Sequence, residues 1–203
     1  DFSDSYILPG LVNTHVHLEF TPCRDTYGIY RREDRKTRLA RAVEHAGDLL
    51  RSGVTTVRDA GSSMELIGAL RGRGCRRKTG DRAAEDSGSG VCPLPRTEAI
   101  WPFWEKTSNS TEELIQAVKE RKSAGCGCVK LIVSGGQLTP GSVPEHDTYS
   151  RGEIRAAVEA AHELGLPTAA HCLTTSSYVN AMELGWTVWN TAPVSGETAA
   201  WDF

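Results

Sequence analysis

Two histidines one residue apart, His15 and His17, close the apolar run that begins at Leu11. Side chains two apart on a strand share a face, so a strand over residues 11–18 projects both imidazoles the same way. Two imidazoles held close together on a rigid strand suit a divalent metal ion. The competing reading is a pair of histidines satisfied by neighbouring polar groups. Lys130 is the second candidate, because Cys128, Val129, Leu131, Ile132 and Val133 surround it and an ammonium there is costly. Burial lowers a lysine pKa and favours the neutral, nucleophilic amine. The alternative is a head group that reaches the strand end or a partner acid. His45 on a polar helix and His162 beside Glu163 read as solvated helix residues. His146 lies in a loop over residues 137–149 and reads as exposed, although that loop sits where a substrate would approach. Asp59 and Gly61 read first as turn formers. Cys126-Gly127-Cys128 lacks the two-residue spacing of a zinc pair and has no second pair downstream.

These residues sit at the ends of predicted strands in a β-then-α rhythm, which calls for a parallel sheet with helical crossovers. Pro9-Gly10 turns into the strand over 11–18, and Leu39, Ala42, Val43, Ala46, Leu49 and Leu50 mark a helix over 37–52. A strand over 55–57 follows Gly53 and leads to a short helix over 64–70. Residues 71–90 carry hardly an apolar side chain, so the third strand that the rhythm demands is missing and the third unit is aberrant. The basic run 71–78, answered at once by Asp81, Glu85 and Asp86, reads as a solvated, disordered stretch. Ser110 with Glu113, and Ser150 with Glu153, read as capping boxes for two helices. Strands over 128–133 and 167–171, a helix over 176–184 and a strand over 187–189 complete the pattern. A doubly wound sheet would usually carry a Gly-rich phosphate turn after its first strand, and none is present. A TIM-type barrel puts its chemistry at the C-terminal ends of strands, where this sequence has its polar residues. The fold class is therefore α/β, a partial TIM (β/α)8-type barrel with roughly the first six β/α units.

With 203 residues, 39% of them hydrophobic, the chain can bury a real core. A formal net charge of −3 gives no electrostatic case for nucleic acid or an anionic membrane. No apolar stretch has the roughly 20 residues needed to span a bilayer, and no signal peptide opens the chain. The 6 cysteines are scattered rather than dense, which points to reduced thiols and a cytoplasmic protein.

The stretch Leu8-Pro9-Gly10-Leu11-Val12-Asn13-Thr14-His15-Val16-His17 resembles the first barrel strand of the amidohydrolase superfamily. The resemblance extends through Gly53-Val54-Thr55-Thr56-Val57-Arg58-Asp59, Val129-Lys130-Leu131 with Ser134-Gly135-Gly136, and Pro167 to His171. It covers most of residues 8–70 and 101–185, and is nearest the prolidase-like and imidazolonepropionase-related subgroup with a carbamylated lysine. It implies that residues 1–10 are a lead-in or the end of a β-sandwich subdomain, and that 11–203 form an incomplete barrel domain. It also implies two zinc ions as cofactors, with His15, His17, Lys130 and His171 as metal ligands. Lys130 would add carbon dioxide and bridge the two metals as a carboxylate does. The implied reaction is metal-assisted hydrolysis of amide or peptide-like bonds, with a small molecule or dipeptide as substrate and a homo-oligomer as the full-length assembly. A mononuclear deaminase or cyclic-amide hydrolase of the same superfamily, and a non-catalytic fragment, remain as other readings.

In the family a further histidine follows the sixth strand and a proton-shuttling aspartate follows the eighth. Here the histidine's slot falls on Thr191 and no residue matches the aspartate, so the expectation is weak or absent turnover by this chain. Open sheet edges would add a tendency to aggregate. The sequence around Gly185 suggests a reason. The family usually reads Val-Asp-x-[Ile/Met]-Glu-His after such a glycine, whereas this chain reads Trp186-Thr187-Val188-Trp189-Asn190-Thr191. The codons for Gly185 to Thr191 must be GGN TGG ACN GTN TGG AAY ACN. Shifted to start at the last base of the Gly185 codon, they become NTG GAC NGT NTG GAA YAC, which forces the Asp and the Glu and allows the His. Sequencing the coding DNA is expected to show AAC at Asn190, which gives that histidine; AAT gives tyrosine instead and defeats the idea.

Overall fold

Among the described residues strands and helices largely alternate, and the pairings between named strands are parallel, as a rhythm of apolar runs and amphipathic helices demands. The computed structural model describes residues 4–74, 85–86, 91–94, 108–136, 141–186 and 188–189. The elements are β1 (Leu11–Val16), α1 (Thr26–Arg32), α2 (Arg35–Arg51), β2 (Val54–Asp59), α3 (Met64–Gly74), β3 (Glu85–Asp86) and β4 (Val91–Leu94). They continue with α4 (Thr111–Ser123), β5 (Cys128–Ile132), α5 (Arg151–Glu163), β6 (Thr168–His171), α6 (Thr175–Glu183) and β7 (Val188–Trp189). The strands form two sheets, β1-β2-β3 and β4-β5-β6-β7. Among the described residues, no helix is long and apolar enough to cross a membrane.

Local chemistry sets the helix limits. Asp34 accepts the Thr37 N–H at 2.8 Å to begin α2. Ser150 and Glu153 form the expected reciprocal capping box on α5. On α4 only half of it forms: Ser110 accepts the Glu113 N–H, while the Glu113 carboxylate takes the N–H of Asn109 instead of that of Ser110. Helices α2, α4, α5 and α6 each run out into a glycine with positive φ, the conformation that ends a helix without a Cβ clash.

Two expectations are corrected here. The stretch 71–90 does contain a strand: β3 pairs Glu85 with Thr56 and Asp86 with Val57. It escapes an apolar pattern because it is two acidic residues long, and a ladder needs only backbone groups. Residues 71–74 continue α3 rather than opening a disordered stretch, while the rest of the basic run lies outside the described residues. Helix α1 is an addition, seven residues opened by Asp25 accepting the Gly28 N–H and too short for a periodic signal. Thr191, the slot of the further histidine, lies outside the described residues.

The larger core packs β5 and β6 against α4, α5 and α6 through Leu114, Val118, Leu131, Val158, Ala170 and Ala181. A smaller one packs β1 and β2 against α2 and α3 through Leu18, Ala42, Ala46, Val57 and Leu66. All five residues of β5 are buried, the mark of a parallel strand covered on both faces. Among the described residues, apolar contacts between the sheets include Phe20 against Ile132, and Ala60 with Cys128 and Ala169.

The ends of β1 and β2 are tied by one carboxylate. Asp59, fully buried, accepts the N–H of Leu18 and the hydroxyl of Ser62 on Oδ2, and the N–H groups of Gly61 and Ser62 on Oδ1. Asp59→Asn keeps the shape but turns an amide donor toward those donors. It is expected to cost about 1–3 kcal/mol, read from the urea unfolding midpoint. A midpoint equal to that of the unaltered chain would deny Asp59 this role.

Candidate metal centre

His15 and His17 leave β1 toward the same side, and their Nε2 atoms stand 3.1 Å apart. Lys130, at the middle of β5, brings its Nζ to 3.3 Å from the Nε2 of His15. His171 closes β6 in register with Ile132, one strand over from Lys130. Its Nε2 lies 3.2 Å from the Gly135 carbonyl just beyond β5. His17, His15 and Lys130 therefore lie within hydrogen-bond distance one after the next, with His15 between the other two, and His171 ends the neighbouring strand.

Burial governs their ionisation. Lys130 is 2% exposed, and burial first, then the nearby Arg58 guanidinium, lowers its pKa to about 8. Burial, reinforced by Lys130, lowers His171 to about 4 against a weaker opposing bond from the Gly135 carbonyl. His17 is held well below the usual histidine range, chiefly by burial and then by Lys130, His15 and His171. Neutral imidazoles keep lone pairs, so the donor chemistry fits a divalent cation. Two Nε2 atoms at 3.1 Å must share a proton or face a common cation, since two lone pairs at that distance repel. His171 donates its Nε2–H to the Gly135 carbonyl at 3.2 Å, a tautomer that leaves the lone pair on Nδ1. Among the described residues, no group of three or more His, Cys, Asp or Glu is placed to hold a metal by itself. Lysine is not such a donor until its nitrogen carries a carboxylate.

The profile of the amidohydrolase family matches residues 6–187. The chain belongs to the amidohydrolase family. No curated protein matches the sequence. Among solved structures, an ochratoxinase from A. niger superposes with a TM-score of 0.71 at 20% identity, over 89% of this chain and 46% of that one. A Xaa-Pro dipeptidase with methionine bound in its active site gives a TM-score of 0.69 at 23% identity, over 89% and 47%. Phenylurea hydrolase B gives 0.69 at 23%, over 89% and 46%. The amidohydrolase chain thus spans just under half the length of these structures and shares the fold of that part.

Other residues of this amidohydrolase chain depart from their sequence reading or were not singled out. His45 is half-buried rather than solvated, with its Nδ1 3.0 Å from the Leu18 carbonyl, because α2 packs over the end of β1. His146 and His162 are exposed, as read. Asp59 does form a turn, yet it is also a buried anchor. Glu19, 1% exposed, accepts the Ser63 N–H at 2.8 Å and pairs with Arg38 at 3.3 Å. Arg58, 9% exposed, donates to the Thr14 carbonyl. The available signal for Glu19 and Arg58 was position alone: both are charged residues beside the ends of apolar strands. Cys126 and Cys128 point to different partners, the sulfur of Met64 and the Val129 carbonyl.

Because His171 titrates lower in the folded chain than in the unfolded one, the unfolded state takes up its proton first. Stability supplied by this group is complete above about pH 6.5 and is lost as pH falls toward about 4. That loss amounts to about 3 kcal/mol in the metal-free chain. His171→Gln is expected to flatten the fall of the urea midpoint across that window. Equal slopes for both chains would contradict the buried, neutral state of His171.

Proposed function

We propose that these residues form the metal-binding half of an active site that hydrolyses amide or peptide-like C–N bonds, as a dipeptidase does. In this reading two divalent cations, taken as zinc, are held by His15, His17, His171 and a carbamylated Lys130, in a partial barrel of about six β/α units. The observation that carries it is the buried Lys130 amine at 3.3 Å from His15 Nε2. Structural likeness to a Xaa-Pro dipeptidase supports the dipeptide class. We also propose a cytoplasmic protein whose full-length form is a homo-oligomer.

The steps available to this chain begin at Lys130. Its neutral Nζ attacks the carbon of carbon dioxide; the N–C bond forms, one C–O π pair moves onto oxygen, and Nζ releases a proton to solvent. The product is an anion where an ammonium would have been unfavourable, and it would give Lys130 a carboxylate with which to hold a cation. Bound cations would supply Lewis-acid activation of water and of the substrate carbonyl. His15 and His17 bring Nε2 to that place, while the Gly135 carbonyl orients His171 so that Nδ1 serves. Phe20 stacks on the His17 ring at 5.4 Å between centroids and covers one face from water.

Lys130→Met keeps the buried volume and removes the amine. The unaltered chain, dialysed with zinc and carbon-13 bicarbonate, is expected to hold two zinc ions and show a carbamate carbon resonance. The variant is expected to lose the resonance and at least one zinc. Equal zinc content in both chains, or no carbamate signal from the unaltered one, would sink the reading.

A further inference from the structure

The turn after β2 brings Gly61 against the edge of the His17 imidazole. A Cβ placed on Gly61 would lie 2.3 Å from Nδ1 and 2.5 Å from Cε1 of that ring, closer than any real contact. Its three nearest neighbours all belong to His17. Gly61 is not among the glycines with positive φ, so its backbone dihedral admits alanine and the nearest obstacle is the ring. The ring has little room to yield. Phe20 stacks on one face with 19° between planes, and His15 meets it edge-on at 5.0 Å. The Nδ1 that faces Gly61 is buried and has no hydrogen-bond partner among the described residues, so no donor or acceptor fixes the rotamer from that side. Shape does so instead.

We propose that Gly61 is a positioning residue for His17, its absent side chain leaving the space that sets the imidazole's direction toward the metal site. The Asp59 carboxylate makes that space rigid, because it binds the N–H of Leu18 beside the histidine and the N–H of Gly61 itself. The contact between Gly61 and His17 stands on the geometry alone; its purpose in metal binding rests on the function proposed above.

A double-mutant cycle tests the contact on the metal-free chain. Gly61→Ala is expected to lower the urea unfolding midpoint, and the same change in a His17→Ala background to lower it no further. If Gly61→Ala does not fold alone, recovery of folding in the double variant gives the same answer. Gly68→Ala, where a Cβ meets nothing within 4 Å, serves as the control and is expected to show no loss. Zinc affinity provides the second readout: Gly61→Ala is expected to weaken it on the order of ten- to a hundredfold, with Gly68→Ala unchanged. Additive midpoints, a double variant that also fails to fold, or unaltered zinc affinity in Gly61→Ala would overturn the proposal. An unaltered chain that binds no zinc would sink the proposed metal chemistry instead, and the cycle by itself would decide the contact.

Discussion

Everything at the mouth of the first sheet depends on how one buried carboxylate is solvated by protein. Taking a carboxylate out of water costs several kcal/mol unless donors replace the lost hydration. Asp59 offsets part of that cost through three backbone N–H groups and one hydroxyl, drawn from both β1's exit and its own turn. The donors come from segments 41 residues apart in sequence, so satisfying the charge and fixing the two strand ends are one event. Burial raises the Asp59 pKa, and the four hydrogen bonds offset that rise only in part.

A second tier rests on that knot. Ser62, held by Asp59, accepts the N–H of Glu19 on its hydroxyl at 3.1 Å. The Glu19 carboxylate then reaches Ser63 and Arg38, Arg41 donates to the Glu19 carbonyl, and His45 engages the carbonyl of Leu18. Arg38, Arg41 and His45 all lie on α2, so the helix behind β1 reports directly on the two residues after His17. The other sheet achieves rigidity differently. There β5 is buried on both faces, and Ser134 just beyond it accepts the Leu173 N–H at 2.8 Å, linking the exits of β5 and β6.

Legibility in the sequence followed the physics of each element. His15, His17 and Lys130 stood out because a polar residue in or after an apolar strand is improbable unless it is used or satisfied, whereas His171 was reached through the family resemblance. Long helices such as α2 and α5 declared themselves through their apolar stripes and caps. Helix α1 did not, since seven residues hold too few turns for a stripe. Strand β3 did not, since its residues are Glu85 and Asp86 and its pairing is entirely backbone. The roles of Glu19, Asp59 and His45 were hidden for another reason: each is defined by partners that are distant in sequence, which no local pattern encodes. Gly61 looked like a turn glycine, and only the placement of a ring from a different strand gives it a further meaning.

The division of the strands into two sheets has a consequence for how the molecule holds together. His15 and His17 stand at the exit of β1 in one sheet, Lys130 and His171 in the other, and the described apolar contacts between the sheets include Phe20 with Ile132 and Ala60 with Cys128 and Ala169. Cations shared among these four residues would act as a clasp across the seam. Any ligand that engages only the closed arrangement adds its binding free energy to the cohesion of the two halves. Occupancy and assembly then become a single thermodynamic variable: loading the clasp pulls the halves together, and pressing the halves together tightens the clasp.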